Sequence, residues 1–320
     1  MWSSIGPSTT MVGEQQPTTE PPDHRHQRGD ESNMTWTVHS KQILVTGGTS
    51  GIGRATAAQL ARLGAEVTIT SRSSTGAETV ASEISRDTGT TVHAGTLDLS
   101  TLASVRAFAR SYSASHDRLD VLINNAGMMS GKRRTTPDGF EWTFAVNHLG
   151  PFLLTNLLTD LLVEASPSRV ITVSSETHRS AGRGLDLDDL QMTRGYSPAR
   201  AYAASKLANI LFTAELDRLL GPSGVTARAL HPGVVATNFG KGAESPRWMG
   251  LAMRVLSPIL RSPEKGAATS VHLATAPFAE LDAGIYWSDS RPKEPSDAAL
   301  DQEVAPELWA ISAQMVGWTN

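Results

Sequence analysis

Tyr202 and Lys206 stand in "YAASK", inside a stretch (199–220) whose apolar residues recur at helical spacing. An i, i+4 pair shares one face of a helix. A phenol is a poor base at neutral pH, with an ordinary pKa of about 10. An ammonium beside it favours the phenolate and makes the tyrosine a usable acid and base. The same pair would also suit a helix surface with the lysine in water. Three further segments carry polar groups where a hydrophobic core would not ask for them. "VITVSSET" ends an apolar run at Ser174 and Ser175, and "LINNAG" ends another at Asn124 to Gly127. A hydroxyl at such a strand end can donate to a carbonyl oxygen. "AVNHLG" sets Asn147 inside a helical pattern, where Asn has poor propensity. Asn147 is either a helix-bending polar contact or a site residue.

"TGGTSGIGR", Thr46 to Arg54, follows the apolar run Ile43, Leu44, Val45. Gly47, Gly51 and Gly53 are spaced G-x-x-x-G-x-G, with Thr49, Ser50 and Ile52 among the intervening residues. That turn is longer than the G-x-G-x-x-G dinucleotide fingerprint. Glycines allow positive φ and close approach of a pyrophosphate, and the helix that follows aims free N–H groups at it. A tight strand–helix turn with no ligand would use the same residues. The next strand pattern ends in Ile69, Thr70, Ser71, Arg72. An NAD-binding fold places there a carboxylate for the ribose 2′-hydroxyl. Arg72 occupies that place, and Arg54 follows the last glycine. Two guanidiniums and no carboxylate suit a 2′-phosphate, which points to NADP(H).

The elements that must position these groups alternate. Apolar strand patterns fall at 42–46, 66–70, 91–97, 119–124, 169–174 and 225–230, with a short seventh at 284–288. Helical patterns fall between them at 51–63, 75–87, 100–115, 138–164 and 199–220. Strands spaced by helices mean βαβ units. The expected fold is α/β: a doubly wound, parallel, seven-stranded sheet of Rossmann type in a single domain over 39–320. Residues 1–38 are rich in Pro, Thr, Gln and charge without apolar period, the pattern of a disordered tail. Within it His24 and His26 form only a weak metal-binding pair. The stretch 238–262 carries Trp248, Met249, Leu251 and Met253 and is expected to be a substrate lid or a packing helix. A closing helix is expected at 297–317, with Leu308 and Trp309 on its apolar side.

Composition narrows the classes. The chain has 320 residues, 39% hydrophobic and 19% charged, with a formal net charge of −4, which does not favour nucleic acid. The absence of cysteine excludes disulfides, thiolate metal sites and a cysteine nucleophile, and fits the cytoplasm. His148, His178 and His231 lack metal-ligand spacing, so no metal is expected. No run reaches the roughly 18 apolar residues of a transmembrane helix, and the N-terminus lacks a signal-peptide h-region.

Taken in order, these motifs resemble the classical short-chain dehydrogenase/reductase family. The resemblance runs from Lys41 to Ser288: T-G-x-x-x-G-I-G, D-L at Asp98–Leu99, N-N-A-G, Asn147, the serine pair, Y-x-x-x-K, and P-G-x-x-x-T from Pro232 to Thr237. It implies a carbonyl/alcohol oxidoreductase. Tyr202 would move the proton at the substrate oxygen, Lys206 would lower its pKa and bond the nicotinamide ribose, and Ser175 would hold the substrate oxygen. Asn147 would support a water relay. Around the cofactor, Asp98 and Leu99 would meet the adenine, and Asn125, Ala126 and Gly127 the adenosine ribose. Pro232, Gly233, Val235 and Thr237 would line the nicotinamide, with Thr237 on the carboxamide. The gap from Ser175 to Tyr202 is about twice the family's usual spacing. The insertion that fills it, with "NHLGPFLLTNLL" and "SKLANILFTAEL", resembles the retinol dehydrogenase-like branch. Tyr196 in that insertion is a decoy, because Arg200 stands where a lysine would be needed. The apolar stretch 248–260, with Met128 and Met129, suggests a lipophilic small-molecule substrate. A homo-oligomer stays open, as do two other roles: NADP(H) sensing without chemistry, and membrane-surface binding through 248–260.

Overall fold

The computed structural model describes residues 36–235 and 261–319. Strand β1 (Gln42–Val45) lies third from one edge of the sheet. It pairs in parallel with β2 (Glu66–Ser71) on one side and with β4 (Val121–Asn124) on the other. The strand order is β3-β2-β1-β4-β5-β6-β7-β8, where β3 is Val92–Thr96, β5 Ser168–Val173, β6 Val225–His231, β7 Tyr286–Ser288 and β8 Arg291–Pro292. The order reverses between β1 and β4, which opens a crevice at the carboxyl ends of the strands. Alternate residues of β1 serve both faces. Leu44 belongs to the core under one helical layer, and Ile43 and Val45 to the core under the other. A strand covered on both faces must be apolar throughout, so its pattern does not alternate.

Helices begin and end where local chemistry sets them. Helix α1 (Gly51–Arg62) buries Ala55, Ala57, Leu60 and Ala61. Helix α2 (Ser74–Thr88) starts at Ser73, whose hydroxyl accepts from the Gly76 N–H, and stops at Gly89 in the left-handed region. Helix α3 (Leu102–Ser115) is capped by Thr101. Helix α7 (Pro198–Leu220) is the long helix that carries "YAASK", and it packs on β5 and β6.

Three features differ from the sequence expectation, and a fourth expected feature falls outside the described residues. The sheet has eight strands rather than seven. The extra one, β8, has two residues antiparallel to β7 and contains Pro292, too short and too irregular to leave a pattern. The helix expected over 138–164 is broken into α4 (Trp142–Phe144), a π-helical turn (Ala145–Leu149), α5 (Gly150–Leu157) and α6 (Thr159–Glu164). Pro151 has no N–H to give the Asn147 carbonyl, and its ring crowds that carbonyl, so the helix widens there. Residues 36–38, assigned by composition to the tail, pack on the body. Val38 is buried, Trp36 Nε1 donates to the Ala274 carbonyl (2.7 Å), and the Arg169 guanidinium sits 4.2 Å over the Trp36 ring. The lid expected at 238–262 lies almost wholly outside the described residues. Its flanks meet, with the Arg261 N–H donating to the Val234 carbonyl (3.0 Å).

After β6 come α8 (Pro263–Thr275) and α9 (Phe278–Leu281). The closing segment is a short 3₁₀ turn (Asp297–Ala299) followed by α10 (Val304–Val316). Helix α10 lies on α5 and α7. Trp309 stacks on Phe212 (5.7 Å) and meets Phe152 edge-on (4.9 Å). His148 is enclosed in the same aromatic cluster, with Nε2 2.8 Å from Ser312 Oγ. Burial pushes its imidazole down to about 3. The folded protein therefore keeps His148 neutral at pH values where the unfolded chain takes up a proton, and stability falls as pH drops below about 6.5. Between pH 7 and pH 5 this one group should remove about 2 kcal/mol. Denaturant unfolding of wild type and His148→Gln at both pH values measures it: the variant should lose about 2 kcal/mol less. Equal losses would show that His148 does not contribute.

Candidate active site

The candidate residues come from loops at one edge of the sheet, because the parallel strands end there together. After β1, Gly47 and Gly51 have φ of +66° and +53°, as a tight turn with a close ligand approach requires. Ser50 is extended and caps α1 without a side-chain hydrogen bond, and the first turn of α1 contains no acidic residue. Its N–H groups are therefore left for an outside anion. A Cβ at Gly53 would run into the Gly47 carbonyl and the Asn125 amide. The residues present thus fit the pyrophosphate of a dinucleotide: an uncapped helix start behind a turn whose glycines leave the backbone approachable. Thr49 and Ile52 lie within this turn.

Asn125 joins two of the loops that would surround the cofactor. Its Nδ2 donates to the Thr46 carbonyl (2.8 Å), and its own N–H donates to Thr46 Oγ1 (3.0 Å). Ala126 N–H donates to the same oxygen (3.1 Å). Asn125 and Thr46 therefore lock the glycine turn to the loop after β4. Thr46 escaped notice in the sequence because a threonine ending a strand is ordinary. Asp98 is held in place by Ser100, whose N–H and Oγ both donate to its Oδ1 (2.9 and 2.7 Å). Leu99 is buried beside it. Arg72 is exposed after β2, and no ion pair forms at it among the described residues. Arg54 is turned onto α2, with Nη2 2.8 Å from Glu83 Oε2.

The acid–base residues converge. The Ser175 hydroxyl lies close enough to the Tyr202 phenol to favour its ionised form. Lys206 Nζ lies 5.6 Å from the Tyr202 ring centroid. A Cβ placed on Gly127 would be 3.3 Å from Lys206 Nζ and 3.5 Å from Asn147 Oδ1, so both polar groups border one small space. Asn147 is fixed in the widened turn: Oδ1 accepts from Met128 N–H (2.8 Å), while Nδ2 donates to the Met128 carbonyl (2.9 Å) and to Ser205 Oγ (2.9 Å). Ser205 Oγ in turn donates to the Tyr202 carbonyl (2.8 Å). Ser205 is a residue the sequence reading missed, since a serine beside the motif lysine looks like any helix serine. Ser174 is separate: its Oγ donates to the Lys206 carbonyl (2.7 Å) and fastens α7 to the strand end.

Charge in this space is set by burial. The Lys206 ammonium donates to the Val173 carbonyl (2.8 Å), and burial pushes it down to about 8. Burial pushes the Tyr202 phenol up to about 12, against a smaller lowering by the Ser175 hydroxyl. Lys206 Nζ thus gives one of its three N–H groups to Val173 while lying beside the Tyr202 ring.

The remaining expected residues occupy the same edge. Gly233, with φ of +82°, and Pro232 follow β6, and Val235 is buried there. Thr237 lies outside the described residues. Met129 is buried and Met128 half-buried. Tyr196 pins the insertion instead of reacting: its hydroxyl donates to the Ser130 carbonyl (3.2 Å).

The short-chain dehydrogenase family model matches residues 41–187. Human retinol dehydrogenase 14 is 41% identical over 308 residues, covering 92% of this chain and 90% of that protein. Human retinol dehydrogenase 13 is 44% identical over 287 residues, covering 88% and 86%. Among solved structures, an uncharacterized protein from Mycobacterium Paratuberculosis superposes with a TM-score of 0.70 at 34% identity, over 90% of this chain and 97% of that one. A short-chain dehydrogenase from Sphingobium yanoikuyae, solved with NADPH, shares the fold at a TM-score of 0.59 and 21% identity, over 72% and 82%. With its sheet order, its uncapped glycine turn and relatives matched along most of their length, this chain belongs to the short-chain dehydrogenase/reductase family of nicotinamide-dependent oxidoreductases, in the retinol dehydrogenase-like branch.

Proposed function

We propose that the protein is an NADP(H)-dependent oxidoreductase that interconverts a carbonyl and an alcohol on a lipophilic small molecule. The observation that carries this reading is the gathering of buried Lys206 beside the Tyr202 ring, with Lys206 Nζ and Asn147 Oδ1 bordering one small space at Gly127. The bound dinucleotide supplies a hydride to the carbonyl carbon, or takes one from the alcohol. Ser175 donates to the substrate oxygen and sets its position. Tyr202 delivers the proton to that oxygen in reduction and removes it in oxidation. A phenol held near 12 stays protonated throughout the neutral range, the state reduction needs. For oxidation the Lys206 ammonium must leave Val173 and approach the phenol, so that the phenolate becomes accessible. Asn147 holds the Met128 backbone and borders the space beside Lys206 through which a proton would be replenished.

Arg54 and Arg72 support the choice of NADP(H), as cations at the end of β2 and the start of α1 where a 2′-phosphate would lie. The names of the retinol dehydrogenase relatives support a lipophilic aldehyde or alcohol. The test is a screen of NADPH and NADH oxidation over all-trans-retinal, aliphatic and aromatic aldehydes, and steroid ketones. NADPH consumption with at least one lipophilic carbonyl is expected. Tight NADPH binding with no oxidation across the panel would make the protein a binder or sensor.

A further inference from the structure

Ser175 sits at the head of a 3₁₀ turn (Glu176–Ala181), and that turn dictates where its hydroxyl points. Ser175 Oγ accepts from the Thr177 N–H (3.2 Å) and lies 3.0 Å from Thr177 Oγ1. The turn is tied to the strand–turn segment 293–296 by three contacts. Lys293 Nζ lies 2.7 Å from Glu176 Oε2, the Arg179 guanidinium donates to the Glu294 carbonyl, and the Ser296 N–H donates to His178 Nε2 (3.0 Å). The first two involve half-exposed side chains in water, where such contacts contribute little. The third is buried: His178 is 1% exposed.

The His178 ring has a second contact, Nδ1 at 2.8 Å from the Ser175 carbonyl. These two contacts fix the tautomer. A backbone N–H can only donate, so Nε2 facing Ser296 must be bare. A carbonyl can only accept, so Nδ1 facing Ser175 must carry the proton. The ring fills both roles only when neutral, and it bridges the Ser175 backbone to the segment that leads into α10. We propose that His178 is a positioning residue, a neutral imidazole clamp that holds Ser175 in register for the substrate oxygen. This inference rests on the function proposed above.

Protonation would put an N–H on Nε2 against the Ser296 N–H, two donors facing each other, and the clamp would open. The charged and titratable groups around the ring are Glu176 and Arg179 on its own turn, Lys293 after β8, and Tyr286 of β7, whose ring meets it edge-on at 5.1 Å. His231 of β6 adjoins Glu176 through a 3.3 Å bond from the Glu176 N–H to its Nδ1. Burial is the largest influence and holds the His178 imidazole below its ordinary range. The neutral clamp therefore persists at neutral pH and is lost as pH falls through that depressed value. The acid limb of turnover belongs below about pH 6.5.

The test compares wild type with His178→Asn, using NADPH and all-trans-retinal or benzaldehyde. Asn keeps an amide donor near Nδ1 but leaves Ser296 without an acceptor. The expected result is a kcat about tenfold lower, the scale of one hydrogen bond, with NADPH affinity by fluorescence titration unchanged. The wild-type acid limb should vanish in the variant. A variant that melts earlier but keeps wild-type kcat and the same acid limb would make His178 merely structural and overturn the proposal. Tyr202→Phe separates the two readings. If it stays active, the proposed function fails; if it is dead while His178→Asn behaves as wild type, only the clamp fails. Should His178→Asn not fold, or should neither aldehyde react, ¹⁵N imidazole spectra of the wild-type protein still decide the clamp. A protonated Nδ1 and bare Nε2 at pH 7 that resist titration down to about pH 6.5 are expected. An Nε2-protonated ring, or one titrating at the ordinary histidine value, would overturn it.

Discussion

Tyr202→Phe is expected to bind NADPH as wild type does and to lose turnover by at least 10²–10⁴-fold, the usual scale of a positioned proton donor. The substitution removes one oxygen and keeps the ring that Lys206 Nζ lies over, so the pocket keeps its shape. Three consequences follow from that oxygen. The substrate oxygen loses its proton source, Ser175 loses a neighbouring hydroxyl, and Lys206 has no phenolate to stabilise. Because burial holds the wild-type phenol near 12, no base limb from Tyr202 itself should appear in the reduction rate below about pH 10. Steady-state NADPH oxidation, paired with a fluorescence titration of the nucleotide, measures both parts. A variant that kept more than about a tenth of the wild-type rate, well outside that range, would remove Tyr202 from the chemistry.

Arg54→Ala combined with Arg72→Ala should weaken NADPH by about 10²–10⁴-fold and leave NADH within a few-fold, if each guanidinium supplies one charge-assisted bond of about 1.5–3 kcal/mol. The two arginines enter from different positions. Arg72 is exposed at the end of β2 with no ion pair among the described residues, so it meets a phosphate without giving anything up. Arg54 must first leave Glu83. Both partners of that pair are about two-fifths exposed, 42% and 38%, and pairs of this kind are weak. Arg72→Ala alone should therefore cost more than Arg54→Ala alone, and Glu83→Gln should modestly improve NADPH binding. Calorimetric titration of both nucleotides against the variants checks this. Equal losses for NADPH and NADH would undo the assignment of the 2′-phosphate.

Much of the architecture was legible because it is written in local chemistry. The glycine turn announces itself, since glycine takes the positive φ at positions 47 and 51 without the strain a side chain adds, and only a missing Cβ clears Asn125 at position 53. Strands covered on both faces leave continuous apolar runs such as Ile43–Val45. The pair Tyr202 and Lys206 shares a helix face by spacing alone. What stayed hidden depends on contacts far apart in the chain. Arg54 looked free beside the last glycine and is paired with Glu83 from the next helix. Lys206 shares the helix face with Tyr202 as its spacing says, but the bond of its ammonium to the Val173 carbonyl, at a strand end 33 residues earlier, left no mark in the sequence. Asn147 sat in a helical pattern whose periodicity gave no hint of the widened turn, although Pro151 four residues on was its cause. His178 showed in the sequence only a lack of metal-ligand spacing, and the bond that gives it a further role comes from Ser296, 118 residues later. Pattern reports which face a residue shows, and it does not report which distant backbone atom waits there.

The most direct measurement is the fate of deuterium placed at both C4 positions of the NADPH nicotinamide when the wild-type protein acts on all-trans-retinal or another lipophilic aldehyde. The predicted result is an alcohol bearing one deuterium on its carbinol carbon, one label per NADPH consumed, with the transfer lost in Tyr202→Phe while the nucleotide still binds. NADPH consumed without label in the alcohol, or label transferred equally well by Tyr202→Phe, would contradict the site described here.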